Sequence, residues 1–291
     1  MKNEAPTPLR LALPKGRIQE GVIKLLGEAG IQVSADPRGY RPKVGLENTL
    51  CKILKPQSIV EMLHLGSRDV GFAGADWVEE LEVELVEVLD TGLDPVKLVA
   101  AAPIDLLDDK GQLPKRRLVV ASEYERLTRR WILQQGLDAE FVRSYGATEV
   151  FPPEDADCIV DNTATGSTLV ANRLEILDTL MHSSTRLYAH PEAMENRSRR
   201  ERIEHLSLLL RSVLDARKRV MVEVNVTADK LEEVVGVLPS MREPTIARLH
   251  GEDGYAVKAA VPRAELVKLI PLIKARGGTD IVVTPISQIV S

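Results

Sequence analysis

With 291 residues and 44% hydrophobic content, the chain has room for about two domains and enough apolar side chain to pack them. A net charge of −5 and only 3% aromatic residues exclude the basic, ring-bearing surface of a nucleic-acid binder. No apolar run approaches the roughly 18 residues of a membrane span, and the opening M-K-N-E-A-P-T-P-L-R lacks the apolar core of a signal peptide, so a cytoplasmic protein is expected. Cys51 and Cys158 lie in separate apolar stretches and read as buried, reduced thiols. The histidines His64, His182, His190, His205 and His250 include no i, i+4 pair, and no protein metal cage is expected.

After a loose start, a strand runs from Leu9 to Leu13 and Pro14 stops it. A helix follows with Ile18, Val22, Leu25, Leu26 and Ala29 on one face and Gly30 as its terminator. Between them stands P-K-G-R. Lys15 and Arg17 sit where the helix macrodipole disfavours cations, which suggests an anion between them; a solvated loop is the alternative. From 31 onward strands and helices alternate: I-Q-V-S-A, C-K-I-L, a helix from about 57 to 65, and R-D-V-G-F-A-G. This is the pattern of an α/β domain. The last of these strands ends in small residues followed by Asp76, either a helix cap or a substrate contact.

Two strands, E-L-V-E-V-L-D and V-K-L-V-A-A-A-P, then lead to a connection over 103–114 and a second alternating set: R-L-V-V-A-S, a helix carrying Leu127, Trp131 and Leu133, and A-E-F-V-R-S-Y. Residues 157–169, D-C-I-V-D-N-T-A-T-G-S-T-L, are an apolar strand entering a hydroxyl-rich turn that opens a helix. Gly166 permits close backbone approach, and Thr165, Ser167 and Thr168 add hydroxyls beside free N–H groups, as a phosphate cradle would. Asp161 at its edge would repel a bare phosphate but accept from ligand hydroxyls, so a sugar phosphate meets both demands. An ordinary helix N-cap has the same composition.

Two further strands are expected, E-I-L-D-T-L and S-T-R-L-Y-A-H, the second returning to the first lobe. A charged helix over about 192–216 places Ile203, Leu206, Leu210 and Val213 on one face, and its interleaved Glu195, Glu201 and Glu204 favour a salt-bridged solvent face for the basic cluster. From 217 the order is strand, helix, strand, strand, helix, strand, the ferredoxin-like unit, with effector binding or assembly as its expected role. The expected domains are therefore 1–102 with 186–216 (lobe I), 103–185 (lobe II, with the phosphate loop) and 217–291.

L-R-L-A-L-P-K-G-R at 9–17, G-A-D-W at 74–77 and D-N-T-A-T-G-S-T-L at 161–169, together with E-P-T-I-A-R-L near the end, closely resemble the long form of the ATP phosphoribosyltransferase family of histidine biosynthesis. The resemblance covers nearly the whole chain. It implies a two-lobed α/β catalytic unit of periplasmic-binding-protein type II architecture, with the active site between lobes and a regulatory ferredoxin-like βαββαβ domain. It further implies that adenine N1 of ATP attacks phosphoribosyl pyrophosphate, that Mg²⁺ is required, that histidine inhibits, that dimers assemble to hexamers, and that no separate regulatory subunit is needed. Carried over residue by residue, Thr165, Gly166, Ser167 and Thr168 would hold the 5-phosphate, Thr163 would be a further substrate-binding residue, and Asp161 would meet the ribose hydroxyls. Lys15 and Arg17 would meet substrate phosphates, Gly74 and Asp76 the nucleotide, and Pro244, Thr245 and Leu249 the histidine. Mg²⁺ would ride on pyrophosphate oxygens and water.

The chain departs from the family at Lys55, where arginine before proline is usual, at Asn162, where an apolar residue usually follows the acid, and at Tyr145 before Gly146. Two other readings compete: a type I phosphoribosyltransferase, which also places acids before a Thr-Gly turn, and a two-lobed solute-binding module without catalysis.

Overall fold

The computed structural model describes residues 7–34, 39–250 and 253–290. Its first strand, β1 (Leu9–Pro14), buries Leu9, Leu11, Ala12 and Leu13, because a strand covered on both faces reads as a continuous apolar run. Helix α1 (Gln19–Glu28) follows with Val22, Leu25 and Leu26 fully buried, as their spacing requires. A short ribbon of β2 (Val33–Ser34) and β3 (Lys43–Val44) leads to β4 (Thr49–Leu54), α2 (Pro56–His64), β5 (Val70–Gly74) and α3 (Ala75–Leu81). The expected strand I-Q-V-S-A is only partly covered, since residue 35 lies outside the described residues.

Here the structure corrects the expectation. The two strands anticipated on either side of residue 93 are one, β6 (Val86–Pro103), and those on either side of 182 are one, β10 (Leu174–Ala189). The antiparallel pairing of β6 with β10 absorbs the turn-forming D-T-G-L-D-P as an irregularity: Arg186 pairs with Asp90, but Thr185 pairs with Leu93. Gly92 and Asp94 take the required positive φ angles of 62° and 48°. The strand bends through the break.

Between these long strands come β7 (Leu118–Ser122), α4 (Glu125–Gln135), β8 (Ala139–Arg143), β9 (Cys158–Thr163) and the five-residue helix α5 (Ser167–Ala171). Leu127 and Trp131 of α4 are buried, whereas Leu133, two positions on and hence off that face, is 81% exposed. The sheet order is β4-β1-β5-β10-β6-β9-β7-β8. β1 runs parallel to β4 and β5, and β7 parallel to β8 and β9, while β10 and β6 cross between the two sets. This is a two-lobed α/β unit hinged on two long strands.

The two faces of β9 serve different layers. Cys158 and Val160 pack with Leu127 and Trp131 of α4, and Ile159 packs with Leu169 of α5. Strand alternation therefore turns Asp161 to the α5 side and Asn162 to the α4 side. The charged helix is divided at Asn196 into α6 (Pro191–Glu195) and α7 (Arg197–Arg217), and its Ile203, Leu206, Leu210 and Val213 are buried. Among the described residues no helix is long and apolar enough to cross a membrane.

The chain divides into compact units Met1–Ser207 and Leu208–Ser291. Within the second, β11 (Arg219–Thr227), α8 (Leu231–Val235), β12 (Thr245–Arg248), β13 (Gly254–Pro262), α9 (Leu266–Ala275) and β14 (Thr279–Pro285) follow in order. Their antiparallel sheet, β12-β13-β11-β14, buries alternate valines 220, 222, 224 and 226 with Leu269 and Ile273 of α9. That is the ferredoxin-like fold expected from the element order.

Candidate active site

Arg17, at the entry to α1, lines one cavity of about 270 Å³ together with Glu149, Asp161, Asn162, Thr163, Thr165, Ser167 and Thr168. Lobe I thus supplies a cation to a space whose opposite wall is the hydroxyl-rich turn of lobe II. The turn is internally braced: Thr163 Oγ1 accepts from the Gly166 N–H at 2.9 Å, and Thr165 Oγ1 donates to Ser167 Oγ at 3.0 Å. Gly166 has a φ of 79°, which a side chain would strain. Helix α5 has only five residues and a correspondingly small dipole, so an anion here depends on backbone N–H groups and hydroxyls more than on the helix.

Asp161 borders the cavity. Its Oδ1 accepts from the Asn162 N–H at 2.7 Å, and the Thr148 hydroxyl also donates to it, yet burial outweighs both and, with the nearby Glu149 and Glu123 charges, pushes its pKa up to about 6. Lys15 is exposed beside this entry and donates to the Tyr40 hydroxyl at 2.8 Å, holding the phenol pKa below its usual range. Arg17 forms no ion pair among the described residues and is free to meet an anion.

Asp76 sits elsewhere. It is buried, with Oδ2 accepting from the Tyr124 hydroxyl and Oδ1 from Ser183, both at 2.6 Å. A Cβ at Gly74 would collide with this carboxylate, so the glycine makes room for Asp76. Neither residue lines the cavity that joins Arg17, Asp161 and the turn. The lobes are also joined by Glu80, which accepts from the Arg126 and Leu127 N–H groups at 3.1 and 3.0 Å, and by Trp77 stacked on Tyr124 with ring centroids 4.6 Å apart. Pro244, Thr245 and Leu249 lie on or beside β12, an edge strand exposed along its length.

Tyr124, Thr148, Glu149 and Ser183 were invisible to sequence reasoning. Their roles arise from pairings across many residues, and only Gly146, with a φ of 110°, marked the turn before Thr148. A larger cavity of about 790 Å³ lies along α4, lined by Lys115, Arg116, Trp131 and Asp178, but it holds none of the expected site residues. Among the described residues no group of three or more His, Cys, Asp or Glu gathers as a metal cage.

Fold and cavity together define a two-lobed, periplasmic-binding-protein type II-like unit whose cavity is lined by a cation, hydroxyls and carboxylates, followed in the chain by a ferredoxin-like domain. A family model described as ATP phosphoribosyltransferase matches residues 55–212, and one for the C-terminal domain of that enzyme matches 216–288. The ATP phosphoribosyltransferase of Pelotomaculum thermopropionicum is 35% identical over 97% of this chain and 99% of its own length. That of Desulforudis audaxviator is 36% identical over the same shares. The solved ATP phosphoribosyl transferase (HisG:HisZ) complex of Thermotoga maritima matches with a TM-score of 0.63 and 27% identity, covering 71% of this chain and 98% of that one. The chain belongs to the ATP phosphoribosyltransferase family, transferases of histidine biosynthesis.

Proposed function

We propose that the protein condenses ATP with phosphoribosyl pyrophosphate, adenine N1 displacing pyrophosphate from the ribose, and that histidine inhibits it through the C-terminal domain. The observation that carries the catalytic reading is the single cavity shared by Arg17 of lobe I and the Asp161–Thr168 segment of lobe II. It offers a cation, hydroxyls and a carboxylate to a ligand bearing phosphate and hydroxyls. No covalent nucleophile is needed; the work is to orient two anionic substrates and stabilise the leaving group. Thr163, Thr165, Gly166, Ser167 and Thr168 hold the 5-phosphate, and ionised Asp161 accepts from the ribose hydroxyls. Arg17 and Lys15 take the remaining phosphates. Gly74 and Asp76 act on the nucleotide side indirectly, since the Asp76 carboxylate is engaged by Tyr124 and Ser183.

Mg²⁺ binds through a few carboxylates, substrate phosphates and retained water, and the cavity offers Asp161 and Glu149 beside the place assigned to those phosphates. When bound it would offset charge on the departing pyrophosphate. The test is product identity: a phosphoribosyl adduct on adenine N1 with pyrophosphate released in equal amount. Turnover of an orotate or purine base in place of ATP would instead favour a type I phosphoribosyltransferase, and tight binding without turnover a solute-binding module.

Thr168→Ala should raise the KM for phosphoribosyl pyrophosphate about tenfold, as expected for one hydrogen bond to a charged group, while leaving the KM for ATP within about twofold. Equal effects on both substrates would contradict the cradle assignment. Histidine binding is assigned to Pro244, Thr245 and Leu249 on the exposed edge of the second sheet. Calorimetry on a chain truncated after residue 216 should show no histidine binding, and undiminished affinity would sink the assignment. The chain carries its own C-terminal domain, so we expect regulation without a separate subunit, in a cytoplasmic dimer-to-hexamer enzyme.

A further inference from the structure

Asp161 and Asn162 are neighbours in β9 and both line the cavity, but only Asp161 has a part in the chemistry above. The Asn162 Nδ2 donates to the Tyr124 hydroxyl at 2.9 Å. Chemistry fixes the direction of that bond. Tyr124 has one hydroxyl proton and gives it to Asp76 Oδ2 at 2.6 Å, so its oxygen can only accept from residue 162. Asp76 is held in turn by Ser183 on the hinge strand β10, whose Oγ donates to Oδ1 at 2.6 Å and accepts from the Asp76 N–H at 3.1 Å. A chain of hydrogen bonds, buried from Tyr124 onward, thus runs from the end of the cradle strand, across the lobe boundary, to the start of α3 and the long strand β10. Asn162 also touches the reacting side directly, because its backbone N–H donates to Asp161 at 2.7 Å. A shift of residue 162 is a shift of Asp161.

We propose that Asn162 is a positioning residue: through Tyr124 and Asp76 its amide fixes the end of β9 from which Asp161 and the Thr163–Thr168 turn project, and so sets the affinity for the phosphoribosyl ligand. This rests on the assignment of the turn to that ligand. An apolar side chain of similar size would leave the Tyr124 oxygen without a donor and release the strand end, so that N–H groups and hydroxyls meet the phosphate out of alignment.

The experiment is calorimetric titration of phosphoribosyl pyrophosphate and, separately, ATP into the full chain as wild type, Asn162→Leu, Tyr124→Phe and the double variant, with pyrophosphate release by the wild type measured alongside. Affinity for phosphoribosyl pyrophosphate should fall about tenfold in each single variant and no further in the double, because both break one chain. In Asn162→Leu the affinity for ATP should stay within about twofold. Wild-type affinity in Asn162→Leu, or additive losses in the double variant, would overturn the proposal. Should Asn162→Leu not fold, Asn162→Asp keeps the shape without the donor when ionised, and unchanged affinity in that variant overturns it equally. Wild type that binds phosphoribosyl pyrophosphate in an Asn162-dependent way yet releases no pyrophosphate would keep the positioning role and sink the reaction. Turnover with an affinity indifferent to Asn162 would do the reverse, and absence of binding contradicts both.

Discussion

Asp161→Asn is expected to lower kcat/KM by about 10²-fold and, above pH 7, to make the folded protein more stable. The loss follows from weakening charge-assisted hydrogen bonds to ligand hydroxyls, about 2–3 kcal/mol together. The gain follows from burial. The folded-state pKa of Asp161 is pushed up to about 6, above the roughly 3.9 of an unfolded aspartate. Between those values the folded protein holds a proton that the unfolded chain has released, so stability falls as pH rises from about 4 to about 6 and stays lower beyond. Asparagine carries no such penalty. Urea midpoints should show the Asp161→Asn protein ahead by about 1–2 kcal/mol at pH 8 and level with wild type near pH 4. Wild-type activity should rise through about pH 6 as Asp161 ionises, a limb absent from the variant. Equal midpoints at pH 8 would mean that the carboxylate is better solvated than its surroundings indicate.

Glu80→Ala should have the opposite character, weakening the fold and both substrates together. Glu80 of α3 is buried, and its two oxygens accept from the N–H groups of Arg126 and Leu127 in the first turn of α4, which have no acceptors within their own helix. Truncation orphans the buried Leu127 donor and the part-buried Arg126 donor and opens a void, for a destabilisation of about 3 kcal/mol. Because burial outweighs these bonds the Glu80 pKa is raised, so part of the contribution is lost as pH rises from the ordinary glutamate range. The exposed Arg130 pairs to Glu79 and Glu82 span the same boundary but contribute little by comparison. With the lobes less firmly held, both KM values should rise. An unchanged urea midpoint would show that Glu80 does not join the lobes energetically.

Local chemistry made much of this molecule readable. The spacing of Val22, Leu25 and Leu26 specifies α1, and the alternating valines of β11 specify a half-covered sheet, because each pattern has only one face to bury. The turn around Gly166 was legible for the same reason, since glycine and hydroxyls in that order have few uses. The bend at residues 90–95 misled: Gly92 and Asp94-Pro95 carry every sign of a strand end, and only the partner strand β10 keeps the ladder going past them. Asp76 was illegible for a different reason. Its place after a strand ending in small residues left a cap or a ligand contact open, and gave no sign of the partners of its carboxylate, Tyr124 and Ser183, 48 and 107 residues away. Such pairings are set by tertiary packing, which a single sequence does not display.

Pyrophosphate release reads the proposed reaction at the bond that breaks. Purified protein should release pyrophosphate only when ATP, phosphoribosyl pyrophosphate and Mg²⁺ are all present, and added histidine should suppress the release. Release without ATP, or none from folded protein with all three components, would contradict the account.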